Sequence, residues 1–323
     1  MKQDWKPWRL ENWSVSESEW NDSSLPMVTL GVLNYNRIKE LRQTLDVLTR
    51  AVQYPNYEVI VVDNGSTDGS LEMIRSEFPS VRVHEVGHNA GVSARNFLTP
   101  IASGKYLFHF DDDTCPGTPA MVLRIVQHME NYPEIDAISA SCHQPITGRL
   151  ETEGWEVFGI LTNADRGWDG LFILEGGICW RMSSLKQVDG YDPRWTYGCE
   201  GMDIGIQLFK NNLSSFFCPQ YLILHFISQS MRTHGRRTYM NSRNMIWLVA
   251  KHWPLAASIP LMGLVISRRF LAMLMHPNTF RDNLRGMIDG LRGVRPFIGQ
   301  RPKLTFRQVI FLKRWYLSLF RWA

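Results

Sequence analysis

Three consecutive carboxylates, Asp111-Asp112-Asp113, follow the apolar run Tyr106 to Phe110. Acids this close at the end of a buried segment repel one another, so a cation or a set of donors has to neutralise them. In an extended segment Asp111 and Asp113 point to the same side and offer hard oxygen ligands, which suits Mg2+ or Mn2+ and not zinc. A solvated acidic turn would account for an isolated pair; the position after a buried strand favours the metal. A second pattern, His84-Glu85-Val86-Gly87-His88, spells the H-E-x-x-H signature of zinc proteases, and Asn89-Ala90-Gly91 continues its longer form. Zinc would need both histidines one turn apart on a helix, but Val81-Arg82-Val83 reads as strand, Gly87 weakens a helix and Ala94 stands where a third histidine belongs. The turn from Asp63 fails as a calcium loop because Asp68 occupies the position that requires glycine. The P-loop, G-x-G-x-x-G and G-x-S-x-G patterns are missing from the sequence, so a phosphate ligand would have to be held by metal and side chains.

Such residues need elements to bring them together. Met27 to Asn34 reads as a buried strand, and Leu41, Leu45 and Leu48 then fall on one helix face. Tyr57 to Val62 is a second strand, ended by a turn-rich stretch and followed by a short helix from Ser70. Val81 to Val86 is a third, Asn89-Ala90-Gly91 leads into a helix through Ala94, Phe97 and Ile101, and Tyr106 to Phe110 is a fourth strand. Strands alternating with helices predict right-handed crossovers and a mostly parallel sheet covered on both faces. Ligands of such sheets collect outside the carboxyl ends of the strands. Asn34-Tyr35-Asn36, Asp63, Asn89 and Asp111 each follow the last apolar residue of a predicted strand, so four unlike segments deliver polar groups to one edge.

The 323 residues, 44% hydrophobic and 20% charged, can bury a full core and exclude a disordered or fibrous chain. No period of 20 to 50 residues repeats. Five cysteines with no C-x-x-C pair suggest neither a disulfide framework nor a thiolate zinc site, and fit a reducing compartment. The net charge of +4 conceals an asymmetry: residues 254–323 hold twelve Lys and Arg against Asp282 and Asp289, a net +10, which leaves −6 for the rest. The basic part is also rich in Phe, Trp, Leu and Met, which suits an anionic membrane surface better than nucleic acid. The start lacks an apolar core of signal-peptide length, so a cytoplasmic location is expected. The greasy stretch Leu255 to Ser267, interrupted by Pro260 and Gly263, is expected to lie on a membrane, being shorter than the ~20 residues of a spanning helix.

Several ordered motifs between Met27 and Pro254 together resemble the inverting family 2 glycosyltransferases of the GT-A fold. They are VTLGVLNYNR, YEVIVVDNGSTDGS, NAGVSARN, GKYLFHFDDD, GGICWRMSSLKQVDGYD and YGCEGMDIGIQL. The resemblance implies an α/β, GT-A (nucleotide-diphospho-sugar transferase) fold with a mostly parallel central sheet flanked by helices and a helical C-terminal extension. A leader over 1–25, a catalytic domain over 26–244 and a basic, aromatic-rich tail over 245–323 are expected.

The same resemblance implies roles. Tyr35, Asn36 and Asp63 should border the base and ribose of the donor, with Arg95 near the nucleotide and Asp112 reaching the ribose. Asp111 and Asp113 should bind Mn2+ or Mg2+ bridging the diphosphate, and His225 should complete the coordination; a core histidine is the competing reading for His225. Charge development then explains the reaction: the metal stabilises the departing phosphate, while a carboxylate takes the proton of the acceptor hydroxyl attacking from the opposite face. Many relatives carry a Glu-Asp doublet where this chain has Glu200-Gly201. Glu200 is expected to be the base and Asp203 an acceptor-binding or supporting group, with helix capping as the alternative for one of them. Gly176 and Gly177 should let backbone approach the donor sugar and acceptor, and Trp180, Trp195 and Tyr197 could stack on sugars or belong to the core. His234-Gly235-Arg236-Arg237-Thr238-Tyr239 and Arg243-Asn244 resemble a segment that closes over the diphosphate.

The expected function is transfer from a UDP-, dTDP- or GDP-linked sugar to a saccharide or lipid-linked saccharide, in cell-surface polysaccharide or lipopolysaccharide assembly at the cytoplasmic face of a membrane, without nucleic acid. The alternatives are a zinc protease through His84 and His88, and a noncatalytic nucleotide- or saccharide-binding protein on the same scaffold.

Overall fold

A computed structural model describes residues 16–145, 147–150, 159–163, 167–170, 173–226, 234–299 and 303–319. Most of the expected leader, the residues just before His234 and the terminal Phe320-Arg321-Trp322 lie outside the described residues. The four strand signals of the first half become β1 (Val28–Asn34), β2 (Tyr57–Asp63), β3 (Arg82–Glu85) and β4 (Tyr106–Asp111), side by side in the order β3-β2-β1-β4 and all parallel. The mostly apolar runs of β1, β2 and β4 follow from burial on both faces, while β3, at the sheet edge, is polar and partly exposed. Val59 and Val61 of β2, with Tyr106, Phe108 and Phe110 of β4, join the core beneath the Ile38–Arg50 and Met121–Asn131 helices. Ile60, Val62 and Leu107 face the opposite core, with Ala94, Leu98, Ile204 and Leu208. The helix expected after Gly91 is a 3-10 turn, Gly91–Phe97, that runs into one α-helical turn, Leu98–Ile101.

The second half departs from the mostly parallel expectation. It adds β5 (Thr114–Pro116), β6 (Ala137–Gln144), β7 (Arg149–Leu150), β8 (Gly159–Asn163), β9 (Gly167–Gly170), β10 (Gly177–Arg181) and β11 (Ser215–His225), continuing from β4 in the order β10-β6-β11-β9-β8. β10 is antiparallel to both β4 and β6, β11 is parallel to β6 and antiparallel to β5 and β9, so the sheet is mixed. Among the described residues from β6 to β10 no helix intervenes, and without a crossover helix neighbouring strands pair antiparallel.

Four longer helices follow: His234–His252, Leu255–Met275, Phe280–Arg292 and Phe306–Leu319. Leu248, Trp253, Phe297, Leu304 and Leu312 share a core with Trp195, Cys199 and Ile206, so this region is packed onto the sheet-bearing part. The boundary expected after residue 244 falls inside the His234–His252 helix. The apolar stretch expected to end at Ser267 is also longer: one helix of 21 residues passes through Pro260 and Arg268-Arg269 to Met275, and an 18-residue window of it has a mean hydropathy of 1.4. Its length and composition suffice to cross a bilayer, which corrects the expected limit.

Candidate active site

Parallel register alone assembles the first part of the site. Asn34 pairs with Asp63 across β1 and β2, and Leu33 pairs with Asp111 across β1 and β4, so all three segments end at the same edge. Asp63 is buried; its carboxylate accepts from the Asn34 side-chain amide at 3.2 Å and from the Ser66 N–H at 2.9 Å. Asn36 adopts a left-handed φ of 54°, which an Asn tolerates better than most residues. Its side-chain oxygen accepts from the Thr67 N–H at 2.7 Å, tying the β1 turn to the β2 turn. Asn64, which the sequence reading passed over, accepts from the Ala90 N–H at 2.8 Å and donates to Asn89, pinning the next loop against the same edge.

The three aspartates are divided between two arginines. Arg95 is fully buried and donates to Asp111 and to the Phe110 carbonyl. Arg37 donates to Asp113 and, at 3.1 Å, to Asp112. Asp112 also accepts the Tyr35 N–H at 3.1 Å, so it braces the β1 turn. Burial, reinforced by Asp113 and Asp111 and opposed by Arg37, pushes its carboxyl up to about 8. β11 returns His225 to this edge, its Nε2 3.4 Å from Asp113 Oδ2, with both side chains buried. Gly176 completes the enclosure: a Cβ there would lie 2.5 Å from Asp111 Oδ2. A Cβ at Gly177 would lie 2.6 Å from Ile223 Cγ1, so that glycine serves the packing of β10 on β11. Among the described residues no three His, Cys, Asp or Glu side chains gather to enclose a metal ion by themselves. Asp113 and His225 nevertheless place a hard oxygen beside an imidazole nitrogen, with Asp111 on the same strand end. Such a partial set is what a hard cation uses when phosphate oxygens and water fill its remaining positions.

The helix Glu200–Lys210 is entered through two successive left-handed residues, Gly198 at φ 84° and Cys199 at φ 69°. A non-glycine in that region is costly, and here Asn244 holds it by donating to the Tyr197 and Gly198 carbonyls at 2.8 and 2.7 Å. The turn delivers Glu200 beside Glu175, which precedes Gly176. Burial raises the Glu200 carboxyl, and burial together with the Glu200 charge raises Glu175 well above the usual carboxylate range. Asp203, expected to help with the acceptor, points the other way. Its carboxylate accepts from Lys251 at 2.8 Å, His252 at 2.7 Å and Gln207 at 2.9 Å, all buried. Neither Glu200 nor Asp203 lies at the N-cap, which is Cys199, and no side-chain capping hydrogen bond is made there.

Trp180 and Trp195 are corrected to core residues. Both are fully buried, Trp180 donating to His109 at 3.2 Å and Trp195 packed on Trp247 and Phe297, so neither offers a ring to a sugar. Tyr197 is exposed beside the Gly198 turn. Of the basic segment, Arg236 and Arg237 are exposed in the first turns of their helix, while Arg243 stacks over Trp247 at 4.2 Å. His84 lies in β3 with its ring stacked on Phe97, and Gly87 turns left-handed at φ 78°, so no helix aligns His84 with His88 and the zinc reading fails. Arg37 was visible as the last residue of the first motif, but its partners were not. Glu175 left one signal, a lone acid between an apolar run and a Gly-Gly pair.

Parallel strands that bring Asn34, Asp63 and Asp111 to one edge, and a late strand that returns a histidine to Asp113, define a GT-A-like architecture. Residues 29–188 match the model of the family described as glycosyl transferase family 2. Among curated relatives, the SPbeta prophage-derived glycosyltransferase SunS of Bacillus subtilis is 27% identical over 142 residues, 42% of this chain and 32% of that protein. The chain thus spans about a third of that relative's length. An N-acetylglucosaminyl-diphospho-decaprenol L-rhamnosyltransferase of Mycobacterium tuberculosis is 21% identical over 294 residues, 76% of this chain and 94% of the relative. The solved structure of mannosyltransferase PcManGT from Pyrobaculum calidifontis, in complex with GDP-Man and Mn2+, superposes with a TM-score of 0.58 at 15% identity, over 88% of this chain and 90% of that one.

Proposed function

We propose that the chain is a metal-dependent transferase that moves a sugar, by a single inverting displacement, from a nucleoside diphosphate donor to a hydroxyl of a saccharide, lipid-linked and destined for a cell-surface polysaccharide. The observation that carries this reading is the convergence of Asp63, the Asn36 turn, Asp111–Asp113 with His225, and Glu200 at one sheet edge. The ligands named for PcManGT, and the lipid-linked acceptor named for the mycobacterial relative, support the substrate classes.

Asp63 and the turns it fixes border the nucleoside. Asp113 and His225, with Asp111, would hold Mn2+ or Mg2+, which when bound neutralises charge on the departing diphosphate as a Lewis acid. Arg37 and Arg95 keep the aspartates separated and in place before donor arrives. Glu200 takes the proton of the attacking hydroxyl, and its raised affinity for protons matches it to that task near neutral pH. Work at the cytoplasmic face of a membrane is part of the same proposal, supported by the basic, apolar-surfaced helices after residue 254.

The test is a melting panel with UDP, dTDP, GDP and CMP, with and without Mn2+, followed by release of nucleoside diphosphate from matching sugar donors. Saturation at 100-fold over Kd adds ~2.7 kcal/mol of stability. Metal-dependent stabilisation that disappears in Asp111→Ala plus Asp113→Ala, together with turnover, is expected. Stabilisation without turnover would favour the noncatalytic binding reading, and no stabilisation by any nucleotide would overturn both.

A further inference from the structure

Glu175 comes from the segment leading into β10, 25 positions before Glu200, and the two meet because residue 201 has no side chain. A Cβ built on Gly201 would lie 2.1 Å from the Ile173 carbonyl oxygen and 2.8 Å from Glu175 Oε1. The helix start and the 173–175 segment are therefore closer than any other residue at 201 would permit. Glu175 Oε1 and Glu200 Oε2 are both buried, and neither has a hydrogen-bond partner among the described residues. The acids around them are matched by direct ion pairs: buried Asp112 and Asp113 by Arg37, half-buried Asp111 by Arg95 and, on the far side of the helix start, buried Asp203 by Lys251. Two neighbouring half-buried carboxylates, each with one buried, orphaned oxygen, make a place that holds a proton or awaits a hydroxyl.

We propose that Glu175 is a second catalytic carboxylate, seated against Glu200 by Gly201, and that the pair together binds and deprotonates the acceptor hydroxyl. This rests on the transferase reading above. In the step, the acceptor O–H bond breaks and its proton passes to the ionised member of the pair. The acceptor oxygen forms a bond to the anomeric carbon, and the bond from that carbon to the diphosphate breaks with its electrons leaving on the phosphate. The pair then returns the proton to solvent. The protonated member donates a hydrogen bond that orients the hydroxyl, a role that burial and the charge of Glu200 favour for Glu175.

Two measurements decide it. The first compares Mn2+-dependent nucleoside diphosphate release, with water as acceptor, in wild type, Glu175→Gln, Glu175→Asp and Glu200→Gln over pH 5 to 9. Loss of about 100-fold in kcat is expected for both Gln variants, with donor KM changed less than about threefold, partial recovery in the Asp variant and an acid limb displaced by about a pH unit. The second follows the Glu175 carboxyl carbon by NMR: its midpoint should fall when Glu200 becomes Gln, a shift that persists whether or not a donor is turned over. Wild-type kcat and pH profile in Glu175→Gln, or a Glu175 midpoint indifferent to Glu200→Gln, would overturn the pairing while leaving the transferase reading intact. Absence of release from every donor by the wild type would overturn the transferase reading and the catalytic role with it. Should Glu175→Gln not fold, the NMR comparison of wild type with Glu200→Gln still decides whether the pair exists.

Discussion

Arg37 does for the acidic turn what a divalent ion is proposed to do, and this makes its side chain the most informative one to remove. Its guanidinium faces both Asp112 and Asp113, while Arg95 takes Asp111. Leaving two carboxylates without their cation in a largely buried turn is expected to cost about 2–4 kcal/mol, since breaking such a pair strands charge that the fold still has to hold. Arg37→Ala should therefore lower the melting temperature in metal-free buffer, and Mn2+ alone should stabilise the variant more than it stabilises the wild type. Thermal unfolding with and without Mn2+ checks both points; equal stabilisation of the two proteins would mean that arginine and metal do not share these oxygens. Gly176 offers a second test at the same scale. Its Cβ would strike Asp111 Oδ2 at 2.5 Å, so Gly176→Ala should push Asp111 off Arg95 and cut nucleoside diphosphate release by about tenfold or more, with the fold retained by circular dichroism.

Helices, not side chains, decide where Glu200 points, and the clamp that fixes them is the buried group of Asp203, Lys251 and His252. His252 lies wholly inside, its Nε2 against Asp203 Oδ1, and burial holds its protonation down to about 4 from an ordinary 6.5. The unfolded chain thus takes up this proton first as pH falls. The stability contributed is complete above about 6.5 and is lost as pH drops towards 4, by roughly 3 kcal/mol for a shift of this size. Asp203, whose affinity for protons is lowered by its donors against the effect of burial, adds a loss at still lower pH. Urea unfolding at pH 7.5 and 4.5 should show a smaller pH-dependent loss in His252→Gln than in wild type; identical losses would exclude His252 as the source. None of this clamp could be read from the sequence, because its members are 48 and 49 positions apart and the YGCEGMD motif looked like a run of site acids. The parallel half was legible, since β1, β2 and β4 carry mostly apolar runs, interrupted only by Thr29, Gly31, Glu58 and His109, and ended by Asn34, Asp63 and Asp111. The antiparallel half was not: β6 and β10 mix Ser, Cys, His and Gly with apolar residues, and their pairing is set by contacts distant in sequence. Trp180 and Trp195 misled for a related reason, since an aromatic ring fills a core as well as it stacks on a sugar, and only burial separates the two.

Over the whole molecule, the site opens at the edge of an acidic body, while residues 254–323 carry a net +10 and the described helices among them expose much apolar surface. Ile259, Phe270, Leu274, Phe306 and Ile310 are each more than half exposed, and only 17% of the apolar window in Leu255–Met275 is buried inside the protein. A soluble surface rarely keeps this much apolar area uncovered, and each such side chain buried elsewhere would contribute ~1.5–3 kcal/mol. Arg281, Arg285, Arg292 and Arg295 lie among the exposed apolar positions of the neighbouring helices, and near an anionic surface each basic group adds about 1 kcal/mol. The proposed occupant of this face is therefore an anionic bilayer, with the lipid-linked acceptor presented at the same surface. The full-length protein should sediment with vesicles containing phosphatidylglycerol much more than with pure phosphatidylcholine, and the difference should shrink between 50 and 500 mM salt as screening shortens the reach of the arginines. Phe270→Glu with Leu274→Glu, two exposed positions one helical turn apart, should weaken sedimentation by tenfold or more while leaving the melting temperature within a few degrees. Equal sedimentation with both lipids would remove the electrostatic part of the attachment. Unchanged sedimentation of the double variant would remove the apolar part, and would point instead to a protein partner covering that face.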